Sequence, residues 1–219
     1  VSSKNYIDQF LNNKAVEKIE SSDYELAVKV YSKFPGNQAV LADLLTKAIA
    51  NETQKANKLK YYKLGADMYE KAGMYADALK WYGDYSALRG AKDEVYFYKT
   101  ASLAINAKDG VTAAAVAKEY IAAFPEKPNG YNFNNKAAKI LDSTHALGLQ
   151  FEAAKLQNEF FSKDPSKYKQ GFVSNYYTMM GYYNENKDFE NAIAMCDKVL
   201  DIIPAEPQTV QIKEGLLKN

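Results

Sequence analysis

The chain has one histidine and one cysteine among 219 residues, so acid–base and nucleophilic chemistry can be sought at few positions. His145 sits in Thr144-His145-Ala146, and Asp142 lies three residues before it on the same face of an expected helix. A general base needs an orienting partner, and a carboxylate at that spacing would supply one. The pairing is common on any helix, however, and the plainer reading is a solvated imidazole. Cys196, in Ala194-Met195-Cys196-Asp197, occupies an expected core-facing position and reads as a buried structural thiol. A single cysteine excludes an intramolecular disulfide, and a single histidine excludes a two-His metal motif. No Gly-rich phosphate loop, nucleophile elbow or HExxH is present. Asp197 and Asp201 form an i,i+4 surface pair with no further ligand nearby. Asn184-Glu185-Asn186-Lys187-Asp188 imitates the start of a calcium loop but carries a lysine and lacks the full ligand pattern, so it reads as a helix–helix turn. Asn51-Glu52-Thr53 is an N-glycosylation sequon by pattern. No catalytic residue, metal or cofactor is expected.

Composition points the same way. Lys+Arg is 28 and Asp+Glu is 27, for a net charge of +1. A nucleic-acid or membrane-surface protein would normally be more basic or visibly patterned. Arg89 stands alone against 27 lysines, and arginine is the residue best suited to bidentate phosphate and guanine recognition. No nucleic-acid partner is therefore expected. No apolar run approaches the roughly 18 residues of a membrane span, so no membrane insertion is expected either. Tyrosine is abundant at 18 copies, with doublets at Tyr61-Tyr62, Tyr176-Tyr177 and Tyr182-Tyr183. Neighbouring helical residues point about 100° apart, so one ring of a doublet can enter a core while the other faces outward. The chain opens on Val1, not Met, and reads as a processed or trimmed piece.

The elements that must position these side chains are helical almost throughout. Apolar residues recur at 3–4 spacing between Gly, Pro and Asn-Gly breaks. The pattern predicts helices over 4–20, 23–34, 38–50, 53–72, 75–88, 92–107, 110–124, 132–147, 150–162, 168–186, 189–203 and 207–217. Pro35, Pro125, Pro165 and Pro204 each end one, because proline lacks the N–H and clashes with the preceding turn. Asp23, Asp109 and Asp188 stand near helix starts, where a carboxylate can accept orphan N–H groups.

A repeat underlies the pattern. Alanines fall at Ala27, Ala78, Ala113, Ala153 and Ala192, at intervals of 51, 35, 40 and 39. Twelve residues before them lie Ala15, Ala66, Ala101, Leu141 and Met180. Seven residues after them lie Phe34, Tyr85, Tyr120, Phe160 and Val199. Small residues suit a close helix crossing, and large ones fill the gap to the next pair. This spacing resembles the tetratricopeptide repeat (TPR), a helix–turn–helix unit of about 34 residues. The best matches are Tyr62…Gly65-Ala66…Tyr69…Gly73-Met74-Tyr75…Ala78…Tyr82 and Tyr176…Met179-Met180…Tyr183…Asp188-Phe189…Ala192…Pro204. Ala104 and Thr144 depart from the family, standing where tyrosine is usual. The resemblance implies one all-α, right-handed TPR-like solenoid domain over 1–219. Its repeats are near 8–35, 59–90, 94–125, 134–165 and 173–204, with an extra helix at 38–50. Residues 207–217 read as a capping helix, or as the start of a further repeat.

In such a solenoid the first helix of each pair lines a concave groove, which in the family takes extended peptides or a partner helix. Mapped by resemblance, the groove positions include Lys63 and Asp67, then Val95, Tyr98, Ser102 and Ile105. Asn135, Asp142 and His145 follow, with Ala138 between them, and then Tyr177 beside Ser174. Tyr98 and Tyr177 are the candidate aromatic anchors. The clamp with which some family members hold a C-terminal carboxylate is mostly missing. Lys63 fits its first position, but Asp67 and Lys99 replace asparagines, and Asn135 and Lys139 stand where Lys and Arg are needed. No selective binding of acidic chaperone tails is expected. The function implied is a non-enzymatic protein-interaction scaffold that binds a peptide or protein segment. The alternatives are an envelope accessory protein that binds a glycan through its tyrosines, and a module that self-associates by end stacking. The Tyr-, Asn- and Lys-rich style is similar to exported bacterial repeat proteins, which favours the bacterial periplasm or envelope over the cytoplasm.

Overall fold

The computed structural model describes residues 3–15 and 18–218. Among these it contains twelve α-helices and no strand. They are α1 (Ser3–Asn13), α2 (Ser21–Tyr31), α3 (Gln38–Asn51), α4 (Lys55–Lys71), α5 (Tyr75–Arg89) and α6 (Glu94–Asn106). The series continues with α7 (Gly110–Ala123), α8 (Pro128–Leu141), α9 (Leu149–Phe161), α10 (Lys169–Glu185), α11 (Phe189–Ile202) and α12 (Pro207–Leu216). They fall into two compact units, Val1–Ala107 and Lys108–Asn219. The expected repeat at 94–125 therefore has one helix in each.

Local chemistry sets the boundaries. Asp93, Asp109 and Asp188 each accept a backbone N–H of the first turn that follows, from Tyr96 (2.9 Å), Thr112 (3.0 Å) and Asn191 (3.2 Å). Asp23 works from inside the first turn of α2, accepting the N–H of Glu20 at 2.8 Å. Gly90 closes α5 in the left-handed conformation (φ 78°), which costs glycine little. Pro128 and Pro207 stand at the first positions of α8 and α12, where a missing N–H is harmless.

In the first unit, helices adjacent in sequence pack on each other from α1 to α6. Ala27, Val28, Leu41, Leu44, Leu45 and Ala48 form one buried cluster with Tyr61, and Ala66, Tyr69, Ala78, Tyr82 and Leu103 form a second. The joint between α3 and α4 is polar. The buried Glu52 carboxylate accepts the N–H groups of Thr53 and Gln54 (both 2.9 Å), the Asn57 amide (2.9 Å) and the Ser21 hydroxyl (3.1 Å). These bonds, the Gln54 N–H first, hold its pKa below the usual carboxylate range. The additional helix α3 is thereby fastened to both neighbours.

In the second unit the chain again packs neighbour on neighbour from α7 to α12. Val173, Met179, Met180, Ala192, Met195, Cys196, Val199 and Leu216 make one cluster, and Tyr131, Phe160, Phe161 and Phe172 make an aromatic one. The alanines at the expected crossings are all buried: Ala27, Ala78, Ala113 and Ala192 are 0% exposed, and Ala153 is 4%.

Two boundaries correct the sequence reading. The first helix ends at Asn13, short of residue 20, and residues 16 and 17 lie outside the described set. The eighth helix spans Pro128–Leu141 in place of 132–147. Its buried small pair is Ala137-Ala138, the counterpart of Gly65-Ala66 in α4 and Thr100-Ala101 in α6. Ala138 precedes Ala153 by fifteen residues, not twelve, so the register of α8 lies three residues earlier than the repeat arithmetic gives. Leu141, expected at the small position, is 36% exposed.

Candidate functional site

The register shift decides which side chains α8 offers. Moved by three residues, its outward positions become Asn132, Asn135 and Lys139. All three line one cleft of about 290 Å³ between α8 and α10, with α9 as its floor. From α10 come Gly171, Ser174, Asn175 and Thr178, and from α9 come Gln150, Ala154, Gln157 and Phe161. Gly171 lets the Phe161 ring pack close at this end, since a Cβ there would lie 2.3 Å from that ring.

The floor is a network of amides. Asn135 donates to Gln157 and, at 3.5 Å, to Asn175. Gln157 donates to Asn132 at 2.6 Å. Asn175 donates to Gln157 Oε1 at 3.1 Å and to Asn158 at 2.9 Å. Gln157 and Asn175 are 6% and 4% exposed, and buried amides of this kind hold position because each finds a partner. Lys136 and Lys139 stand exposed at the rim, Lys136 with its ammonium 5.7 Å from the Phe133 ring. No acidic side chain lines the cleft. Sequence reading reached Asn135 and missed Asn132, Gln157 and Asn175, because a network joining three helices leaves no periodic mark.

Other expected groove residues take varied places. In the first unit, Lys63 and Asp67 pair with each other at 2.7 Å on α4. On α6, Val95 (67%) and Tyr98 (51%) are exposed, and Ser102 and Ile105 are half-buried, on the helix side away from Phe97, Ala101 and Ala104. In the second unit three expectations need correction. Asp142 is 2% exposed, and its carboxylate accepts the N–H groups of Leu147 (3.0 Å) and Leu149 (2.9 Å). It holds the 142–148 connection against the start of α9 and presents no free face. His145 belongs to no helix; it lies in that connection with φ at 60°. The same-face pairing of His145 with Asp142 therefore does not form. Tyr177 points its hydroxyl at α12, bonding Glu206 (2.8 Å) and Thr209 (2.6 Å). It is a fastening between helices, not an open anchor.

Chemistry elsewhere is sparse. The Cys196 sulfur is wholly buried, 3.7 Å from Met180 Sδ, and burial pushes its thiol pKa up, away from the reactive thiolate. Among the described residues no group of three or more His, Cys, Asp or Glu side chains could hold a metal ion. No helix among them is long and apolar enough to cross a membrane. Asn51 ends α3 with its amide donating to Lys47 O at 2.9 Å.

No family model matches the sequence, and no curated protein matches it. Solved structures do. The C-terminal part of a TPR repeat-containing protein from Cytophaga hutchinsonii superposes with a TM-score of 0.60 at 19% identity, over 95% of this chain and 79% of that one. YrrB, a TPR protein with an unusual peptide-binding site, superposes with a TM-score of 0.51 at 14% identity, over 97% of this chain and all of its own. With helices packed in sequence order within each unit and alanines buried along them, the chain has the all-α helical-repeat fold of the tetratricopeptide-repeat proteins.

Proposed function

We propose that the chain is a non-enzymatic interaction scaffold that holds an extended protein or peptide segment against α8 and α10. The observation that carries this reading is the cleft between those helices, with its rigid amide floor and open rim. Amides in fixed orientation can donate to and accept from a peptide backbone, and a preorganised surface loses little freedom on binding. The fold shared with YrrB, which has a peptide-binding site, supports the same reading. The buried thiol and the displaced imidazole offer no reacting group.

The test is selection of peptides by the full chain from a random display library, followed by hydrogen exchange on the complex. Slowed exchange in α8 and α10 is the expected result. Failure to enrich any peptide, or protection confined to other helices, would overturn the reading. Enrichment of polysaccharide in a parallel glycan screen would shift it to the glycan alternative.

A further inference from the structure

Resting on that scaffold reading, the geometry points to a narrower ligand chemistry: we propose that the α8–α10 cleft selects segments carrying an internal acidic side chain, whose carboxylate it receives. The argument is an inventory of unused hydrogen-bonding capacity. Gln157 Oε1 already accepts from Asn135 and Asn175, and both hydrogens of the Asn175 amide are spent on Gln157 and Asn158. Both hydrogens of the Asn135 amide are likewise spent, on Gln157 and Asn175. What remains includes four amide hydrogens, beside the Asn135 and Gln150 amide oxygens. Asn132 keeps its whole NH₂ group, since its oxygen is the part that meets Gln157. Gln157 keeps one N–H, and Gln150 keeps one beyond its 2.6 Å bond to Asp142 O.

Two lysines line the same cleft. Lys136 and Lys139 lie one turn apart or less on α8, and among the described residues neither has a carboxylate at ion-pairing distance. Elsewhere in the chain some lysines meet acids, as Lys60 meets Glu25 (2.7 Å) and Lys47 meets Asp43 (2.7 Å). Free amide N–H groups, two lysines and a lining with no acid favour an anionic oxygen ligand. The peptide supplies it as an Asp or Glu side chain. The C-terminal clamp of the family is a different arrangement, and Asp67 in the other unit opposes it.

The experiment uses the full chain and a bead library of short random peptides, all amidated at the C-terminus, so that only side chains carry negative charge. Wild type is compared with a Lys136→Gln, Lys139→Gln variant and with a Lys136→Glu, Lys139→Glu variant. Both lysines are exposed, and circular dichroism checks the fold of each variant. Wild type is expected to enrich acidic peptides, and each selected peptide should lose roughly tenfold or more in affinity when its acid becomes the amide. Both variants should lose that preference, the glutamate pair more completely. Peptides enriched without acid preference, or a preference that survives both variants, would overturn this inference and leave the scaffold reading standing. A library that yields no binder would overturn both.

Discussion

Asp142→Ala separates a structural role from a binding one. The Asp142 carboxylate is 2% exposed and accepts two backbone N–H groups, at 3.0 and 2.9 Å. A hydrogen bond to a charged group contributes about 1.5–3 kcal/mol net, so two set an upper bound near 6 kcal/mol. Leu147 is 69% exposed, so water can reach part of the vacated site. Allowing for that recovery, the expected loss is about 2–4 kcal/mol. With a slope of about 1–3 kcal/mol per molar urea for a small unit, the midpoint should fall by roughly 1–2 M. Asp142→Asn keeps one acceptor and should cost about half as much. The assay is urea unfolding followed by far-ultraviolet circular dichroism, with hydrogen exchange at the start of α9 as a local readout. Peptide capture by the folded fraction should be unchanged. A loss below about 0.5 kcal/mol, the usual range of a surface substitution, together with abolished peptide capture, would refute the reasoning and return Asp142 to the binding face.

Further outcomes concern the helix contacts. Gly65→Ala would place a Cβ 2.3 Å from the Trp81 ring, which Tyr62 and Tyr69 flank with centroids at 6.0 and 6.4 Å. Overpacking of about 1–3 kcal/mol should outweigh a helix-propensity gain of up to about 1 kcal/mol. The sole tryptophan reports it directly, through shifted native emission and earlier unfolding; an unchanged emission and midpoint would contradict the close approach. Glu206 is held at a pKa of about 2 against an ordinary 4.5 by the Thr209 hydroxyl and N–H and then by the Tyr177 hydroxyl. Because the folded value is the lower one, its stabilisation is fully present above about pH 4.5 and is lost as pH falls towards 2. Glu206→Gln should therefore flatten the acid limb of melting temperature against pH, and an unaltered limb would show that the α10–α12 fastening contributes nothing.

Much of the fold was legible because its signals are local. Apolar spacing, prolines and capping aspartates marked the helices, and Ala78 and Ala192 are buried where the repeat placed them. The eighth helix went astray for a local reason as well. Pro128 is a first-turn residue outside the apolar spacing, and Ser143-Thr144-His145-Ala146 continues a helical composition although the backbone turns left-handed at His145. Only the buried carboxylate of Asp142 shows why that turn holds, and its partners Leu147 and Leu149 lie at and just past the expected helix end. The candidate site was less legible. Asn135 and Lys139 could be reached through the family resemblance, whereas Gln157 and Asn175 matter through bonds between residues 17 or more apart in sequence. Tyr177 misled because a tyrosine on an outward position looks alike whether its hydroxyl meets a ligand or a later helix.

The buried alanines have a consequence for how freely such a chain can drift. Where helices cross on a methyl group, backbone against backbone fixes their separation, and larger side chains around the crossing can exchange as long as they fill the remaining volume. A handful of positions thus carries most of the inheritance of shape, while the surfaces between them stay open to new wording. Descendants of one ancestral array can come to share a geometry with scarcely a recognisable phrase in common, and each can acquire its own ligand by rewriting only the outward residues of two neighbouring helices.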